Sequence, residues 1–184
     1  MNYYEALGLE PRLSLDAEDL KTRFYDRSRQ WHPDRFSRAG AEEQQKALDM
    51  TALLNDAFRT LREPVSRAEY FLKQRGLDLS NDAPPELLEE VFELNMALEE
   101  LREGDDSARP QLIEAQERFA KMRAEIDANL AGFFAEFDRT ADAAILGRIR
   151  GALNRRRYVS NLLREVDRAV TQGSEKETNV HVSN

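Results

Sequence analysis

The feature that most constrains the fold is a long apolar rhythm in the second half of the chain. Leu112, Ala115, Phe119, Met122, Ile126, Leu130, Phe133 and Phe137 recur at intervals of three or four residues. That spacing lines one face of an α-helix and no face of a strand. It predicts one helix from about Ser107 to Phe137. Ile145, Ile149, Ala152, Val159, Leu163, Val166 and Val170 predict another, from about Ala141 to Val170. Leu87, Val91, Leu94, Leu98 and Leu101 predict a third, from Pro85 to Glu103. Gly104-Asp105-Asp106 breaks the chain after this helix, and Asp138 and Thr140 supply the other break. Three long amphipathic helices with short connections predict an antiparallel three-helix bundle.

The first half has shorter elements. Asn2 to Leu7 reads as a brief helix closed by Gly8, with Ser14 and Asp16 as candidate N-caps of the next. Leu20, Phe24, Ser28 and Trp31 share one face of that second helix. Ala47, Met50, Leu54, Ala57, Phe58 and Leu61 share one face of a third, from about Ala41 to Arg62. The two predict an antiparallel hairpin. Pro64 opens a fourth short helix that stops at Gly76. Polar turn formers from Leu77 to Pro84 mark a linker. The expected organisation is all-α: a hairpin domain over 1–76, a linker over 77–84, a bundle over 85–172 and a disordered tail over 173–184. Gly132, Gly147 and Gly151 interrupt the helical patterns and read as kinks or close helix contacts.

Composition narrows the function. The chain has no cysteine, which excludes disulfides, thiolate catalysis and a cysteine-held cluster of its own. A net charge of −8 argues against nucleic acid. It is unevenly spread: residues 1–76 carry 13 basic and 13 acidic side chains, leaving 14 and 22 for the rest. Two electrostatically different halves suit two different partners. No apolar run matches a membrane span and no secretory pattern opens the chain, so the expected location is cytoplasmic. No Gly-rich phosphate loop, metal-ligand cluster or nucleophile–base pair appears, so neither an enzyme nor a bound cofactor is expected.

Between the second and third helices lies His32-Pro33-Asp34. The proline biases His32 toward extended backbone and ends the helix there. A polar triplet on a bend between rigid helices is a place for binding chemistry. Taken alone it is equally a plain turn. With Tyr3-Tyr4-Glu5-Ala6-Leu7-Gly8-Leu9 before it and Leu54-Asn55-Asp56-Ala57 after it, this part resembles a J-domain. Arg67-Ala68-Glu69-Tyr70-Phe71-Leu72 and the helical second half extend the likeness to the HscB family, J-type co-chaperones of iron–sulfur cluster assembly. The resemblance implies that His32, Pro33 and Asp34 contact the ATPase domain and linker of a DnaK-type chaperone. Asp34 would be the charged contact, Pro33 would fix the bend and His32 would hydrogen-bond. Lys21, Arg23, Arg27 and Arg29 read either as a solvated face or as a basic patch that steers docking. Asp26 among those arginines departs from general J-domains and favours a dedicated, HscA-like partner.

The helix from Pro85 holds more apolar residues than a bundle face needs. Leu88, Phe92 and Met96 form a second stripe about 100° from the first. Glu89, Glu93, Glu99 and Glu100 edge it, and Tyr158 and Leu162 are a similar surplus on the last helix. Such a surplus is either extra core or an exposed docking patch. The resemblance implies that Leu88, Phe92 and Tyr158, with acids such as Glu89 and Glu93, bind an IscU-like scaffold protein. Glu89 stands where the family can carry methionine, which narrows the patch. Arg155-Arg156-Arg157 reads as an anion site or, more simply, a solvated helix face.

Overall fold

Asn2 sets where the first helix begins. The structure, a computed structural model, describes residues 1–80 and 82–180, and their side chains except those of 172–180. The Asn2 side chain accepts from the Glu5 N–H while the Glu5 carboxylate accepts from the Asn2 N–H, a reciprocal cap for α1 (Tyr3–Leu7). Gly8 ends α1 at φ +67, a left-handed conformation that costs glycine little. Asp16, not Ser14, caps α2 (Ala17–Gln30) by accepting from the Asp19 N–H. The chain continues as α3 (Ala41–Arg62) and α4 (Pro64–Lys73), the latter with Pro64 at its first position. Then come α5 (Leu88–Arg102), α6 (Arg109–Thr140) and α7 (Ala143–Val180). No strand occurs among the described residues, and the class is all-α.

Two compact units result. The first comprises Met1–Asp78 with Phe134–Leu146. Within it α2 and α3 run antiparallel. Phe24 stacks on Phe58 with centroids 4.4 Å apart, and the Thr51 hydroxyl donates to the Trp31 carbonyl at 3.1 Å. As one residue number rises by seven the other falls by seven, which is the register of a hairpin. Leu7, Leu13, Leu20, Leu54, Leu61 and Phe71 fill the core. One charge lies among them. The Arg67 guanidinium donates to the carbonyls of Leu13 and Leu61, each at 2.7 Å, and burial draws its pKa down.

From sequence, 134–146 belongs with the bundle, but these residues pack in the first unit. Phe137 meets Phe71 edge-on, and the Asp138 carboxylate accepts the N–H groups of Leu13 and Ser14 at 2.9 and 2.6 Å. Asp138 is therefore no helix break: it lies within α6, which runs on to Thr140. The turn falls at Ala141, whose φ of +53 is left-handed, and at Asp142, whose carboxylate accepts the Ala144 N–H.

The second unit comprises Leu79–Phe133 and Gly147–Asn184. In it α6 and α7 are antiparallel. The Gln116 amide donates to Asp167 at 2.6 Å and Arg156 donates to Asp127 at 2.5 Å, again with opposite residue steps. A short connection, with Asp105 accepting the Ser107 N–H, returns the chain from α5 to α6. Leu87, Leu94, Leu98, Leu112, Phe119 and Ile149 are buried between the three helices.

Three sequence expectations change here. Leu162, expected off the packed face, is only 7% exposed and belongs to the core. A Cβ at Gly132, Gly147 or Gly151 would meet nothing within 4 Å, so none marks a close helix contact. The stretch expected as a disordered tail from Gly173 is helical backbone as far as Val180, because one glycine costs a helix only about 1 kcal/mol. Residues 181–184 lie outside the described residues.

Candidate functional site

Two surfaces carry candidate function, one in each unit. The first is built around the chain reversal after α2. His32 is extended (φ −61, ψ 128), as a residue before proline prefers. Pro33 begins a single 3-10 turn, Pro33–Phe36. Trp31 and Phe36 stack across the turn, and the Gln44 amide donates to the carbonyls of Ser37 and Ala39. The loop is thus held at both ends, and the Arg35 guanidinium donates back to the Arg29 carbonyl. The Asp34 N–H donates to His32 Nδ1 at 3.3 Å, and the Asp34 carboxylate lies 3.5 Å from the same nitrogen. Both contacts fall on Nδ1, which leaves Nε2 as the ring nitrogen turned to a partner. The His32 side chain is 58% exposed and that of Asp34 is 90% exposed. An imidazole and a carboxylate, set two residues apart, face outward.

The basic residues of α2 do not make one patch. Arg23 donates to Asp19 at 2.9 Å and also to the Gly8 carbonyl, and the Arg27 guanidinium lies on the same side, against Gly8. Arg29 pairs with Asp26 at 3.4 Å. Helical spacing puts Lys21 and Arg29 on another side, with Tyr25 midway between them. Tyr25 is 51% exposed, and the sequence argument passed over it. Its signal was an aromatic four residues from a cation in each direction.

The second surface lies on α5. Leu87, Leu94 and Leu98 are buried, whereas Leu88, Phe92 and Met96 are 56, 68 and 50% exposed. The surplus stripe therefore faces outward, with Glu89 and Glu93 exposed beside it. Tyr158 is half-buried on α7. The Ser80 N–H donates to Asn154 at 2.9 Å, and Arg155 lies 3.7 Å from Glu86. These contacts bring that part of α7 alongside the chain leading into α5, and Tyr158 lies one turn further along α7. Arg155, Arg156 and Arg157 all have partners: Glu86 for the first, Asp127 for the second, and contacts of its own for the third. The arginine run is structural. Among the described residues no group of three or more His, Asp or Glu side chains could hold a metal ion, and no helix is long and apolar enough to cross a membrane.

A helical hairpin with a His-Pro-Asp reversal, followed by a separate helical domain, defines a J-type co-chaperone. The match to a DnaJ domain model covers residues 2–70, and a match to the "HSCB C-terminal oligomerisation domain" covers 83–167. A co-chaperone protein HscB homolog of Shewanella loihica is 32% identical over 174 residues, spanning 92% of this chain and 97% of that one. Another, of Vibrio vulnificus, is 37% identical over 126 residues, 66% of this chain and 73% of that one. The solved structure of chaperone HscB from Vibrio cholerae is 28% identical, with a TM-score of 0.66 over 94% of this chain and 99% of that one. The human HscB crystal structure, 24% identical, shares the fold with a TM-score of 0.66 over 91% of this chain and 81% of that one. This chain belongs to the HscB co-chaperone family.

Proposed function

We propose that the protein couples a dedicated, HscA-like DnaK-type ATPase to an IscU-like iron–sulfur scaffold, and so assists maturation of iron–sulfur proteins. The first unit, which holds the His-Pro-Asp tip, engages the ATPase, and the second, which holds α5, carries the scaffold. One observation supports this most strongly: three large apolar side chains stand exposed in a row on a helix that already buries Leu94, Ala97 and Leu98. Clustered exposure of that kind marks a protein-binding surface.

His32, Pro33 and Asp34 act on the ATPase, with Asp34 as the charged contact, Pro33 fixing the bend and His32 donating or accepting a hydrogen bond. The face Lys21–Tyr25–Arg29 continues the docking surface along α2, while Arg23 and Arg27 brace the end of α1. Leu88, Phe92, Met96 and Tyr158 grip the scaffold, and Glu89 and Glu93 orient it. Holding the scaffold beside the chaperone raises its effective concentration while hydrolysis closes the chaperone on it.

The test is a steady-state ATPase assay of the chaperone, with and without scaffold. Asp34→Asn should lower stimulation at least tenfold and leave scaffold binding intact. The triple change of Leu88, Phe92 and Tyr158 to alanine should abolish scaffold binding and leave stimulation by this chain alone intact. Normal stimulation by Asp34→Asn would refute the reading of the tip. Loss of both activities in the triple variant would mean that the bundle had unfolded.

A further inference from the structure

The exposed stripe does not end at Met96. On its far side an open groove of about 410 Å³ runs between α5 and α6, and Phe92 and Met96 form part of its wall. That size falls in the roughly 300–1,000 Å³ range of ligand pockets. The floor is apolar and buried: Leu94 and Ala97 from α5, Leu112 and Ala115 from α6. The two alanines open the space, because each offers a methyl where its leucine neighbours offer a branched chain. The remaining lining is polar. Glu93 and Glu114 contribute two carboxylates to that lining, Arg118 a single guanidinium and Gln111 an amide. Arg118 and Glu93 meet only at 3.5 Å, and their side chains are 46 and 57% exposed. A long, wet pair of that kind contributes little and exchanges easily.

We propose that this groove is a second subsite for the cargo protein, taking a cargo segment that carries an apolar side chain next to a lysine or arginine. The apolar side chain enters between Ala97 and Ala115, and the cation takes Glu93 and Glu114. Charge selects this occupant: the lining is net negative, and so is the half of the chain that holds it. A second copy of this chain meeting the groove through the same surface would bring the same acids face to face. Continuity selects the cargo, since Phe92 and Met96 belong to both surfaces and one partner can cover them together. The proposal rests on reading the α5 stripe as the cargo surface. It adds α6 residues to that surface.

The experiment is calorimetric titration of the scaffold protein into the full chain at two salt concentrations, with thermal melts and sedimentation of each variant. The variants are Glu114→Lys, Gln111→Trp and Leu88→Ala, all at exposed positions. Glu114→Lys and Gln111→Trp are each expected to weaken binding tenfold or more at unchanged melting temperature. Glu114→Lys should also flatten the salt dependence. If only Leu88→Ala weakens binding, the groove proposal is overturned and the stripe stands. If all three bind as the parent does, stripe and groove both fail. A change in self-association with scaffold affinity untouched would make the groove a contact between copies, and would also overturn the proposal.

Discussion

The His-Pro-Asp tip and the outer stripe of α5 are both exposed, and they differ in how exposure is informative. Asp34 projects 90% of its side chain into solvent, which is ordinary for a carboxylate. Nothing about its burial marks it out; the order of residues around a proline does. Phe92 is 68% exposed, and one exposed apolar residue also means little. Leu88, Phe92 and Met96 exposed together, on a helix that already buries Leu94, Ala97 and Leu98, mean a great deal. Polar sites are thus read from identity and order, and apolar sites from position around a helix that tertiary packing has oriented.

The sharpest way to break this contrast lies within α5. Leu94→Ala should destabilise the protein by about 2–5 kcal/mol, because Leu94 is 2% exposed and its removal leaves a cavity. Phe92→Ala, two residues away, should change stability by less than about 0.5 kcal/mol. It should nevertheless weaken cargo binding at least tenfold. Equal loss of stability in urea titrations of the two variants would erase the distinction between inner and outer stripes.

A smaller effect probes the loop that leads into α2. Asp138 accepts two N–H groups just before the cap of α2. Bonds to a charged acceptor contribute about 1.5–3 kcal/mol each. Asp138→Ala should therefore lower unfolding free energy by at least about 1.5 kcal/mol, and Asp138→Asn should recover part through its amide oxygen. No loss in denaturant unfolding would show that the α6–α7 turn does not brace that loop.

The smallest effect concerns a polar group that is inside. The Tyr4 hydroxyl donates to the Arg12 carbonyl at 3.0 Å, and burial raises the phenol well above its ordinary range. Where the unfolded chain has lost that proton the folded one keeps it. The contribution is full below about pH 10, the ordinary tyrosine value, and declines as pH rises beyond it. Tyr4→Phe should cost about 1 kcal/mol at neutral pH for the lost hydrogen bond. It should also flatten the alkaline side of the stability profile, and an unchanged alkaline slope would sink this reading.

Much of the fold was legible because helical periodicity is local. Leu20, Ala47, Leu54, Leu112, Phe119 and Ile149 were assigned inward from spacing alone, and all are buried. Helix ends were legible where a cap is chemical, as at Gly8 and Asp16. Misreadings came where a residue's role is set by something distant in sequence. Asp138 reads as a breaker until Leu13 and Ser14 supply its partners, more than a hundred residues away. Leu162 reads as surplus until the bundle closes over it. Arg23 reads as surface charge until the Gly8 carbonyl claims it.

By itself the sequence determined the helical class, the reversal at Pro33, the candidate tip and the surplus on α5, because period, proline geometry and motif order act over a few residues. Tertiary structure alone decided that Leu88, Phe92 and Met96 face solvent while Leu162 does not, that Arg23 and Arg27 lie against Gly8, and that Ala97 and Ala115 leave a groove. The physical reason is that exposure belongs to the space between elements. A helix fixes the angles among its own side chains, but only its neighbours fix which angle is covered.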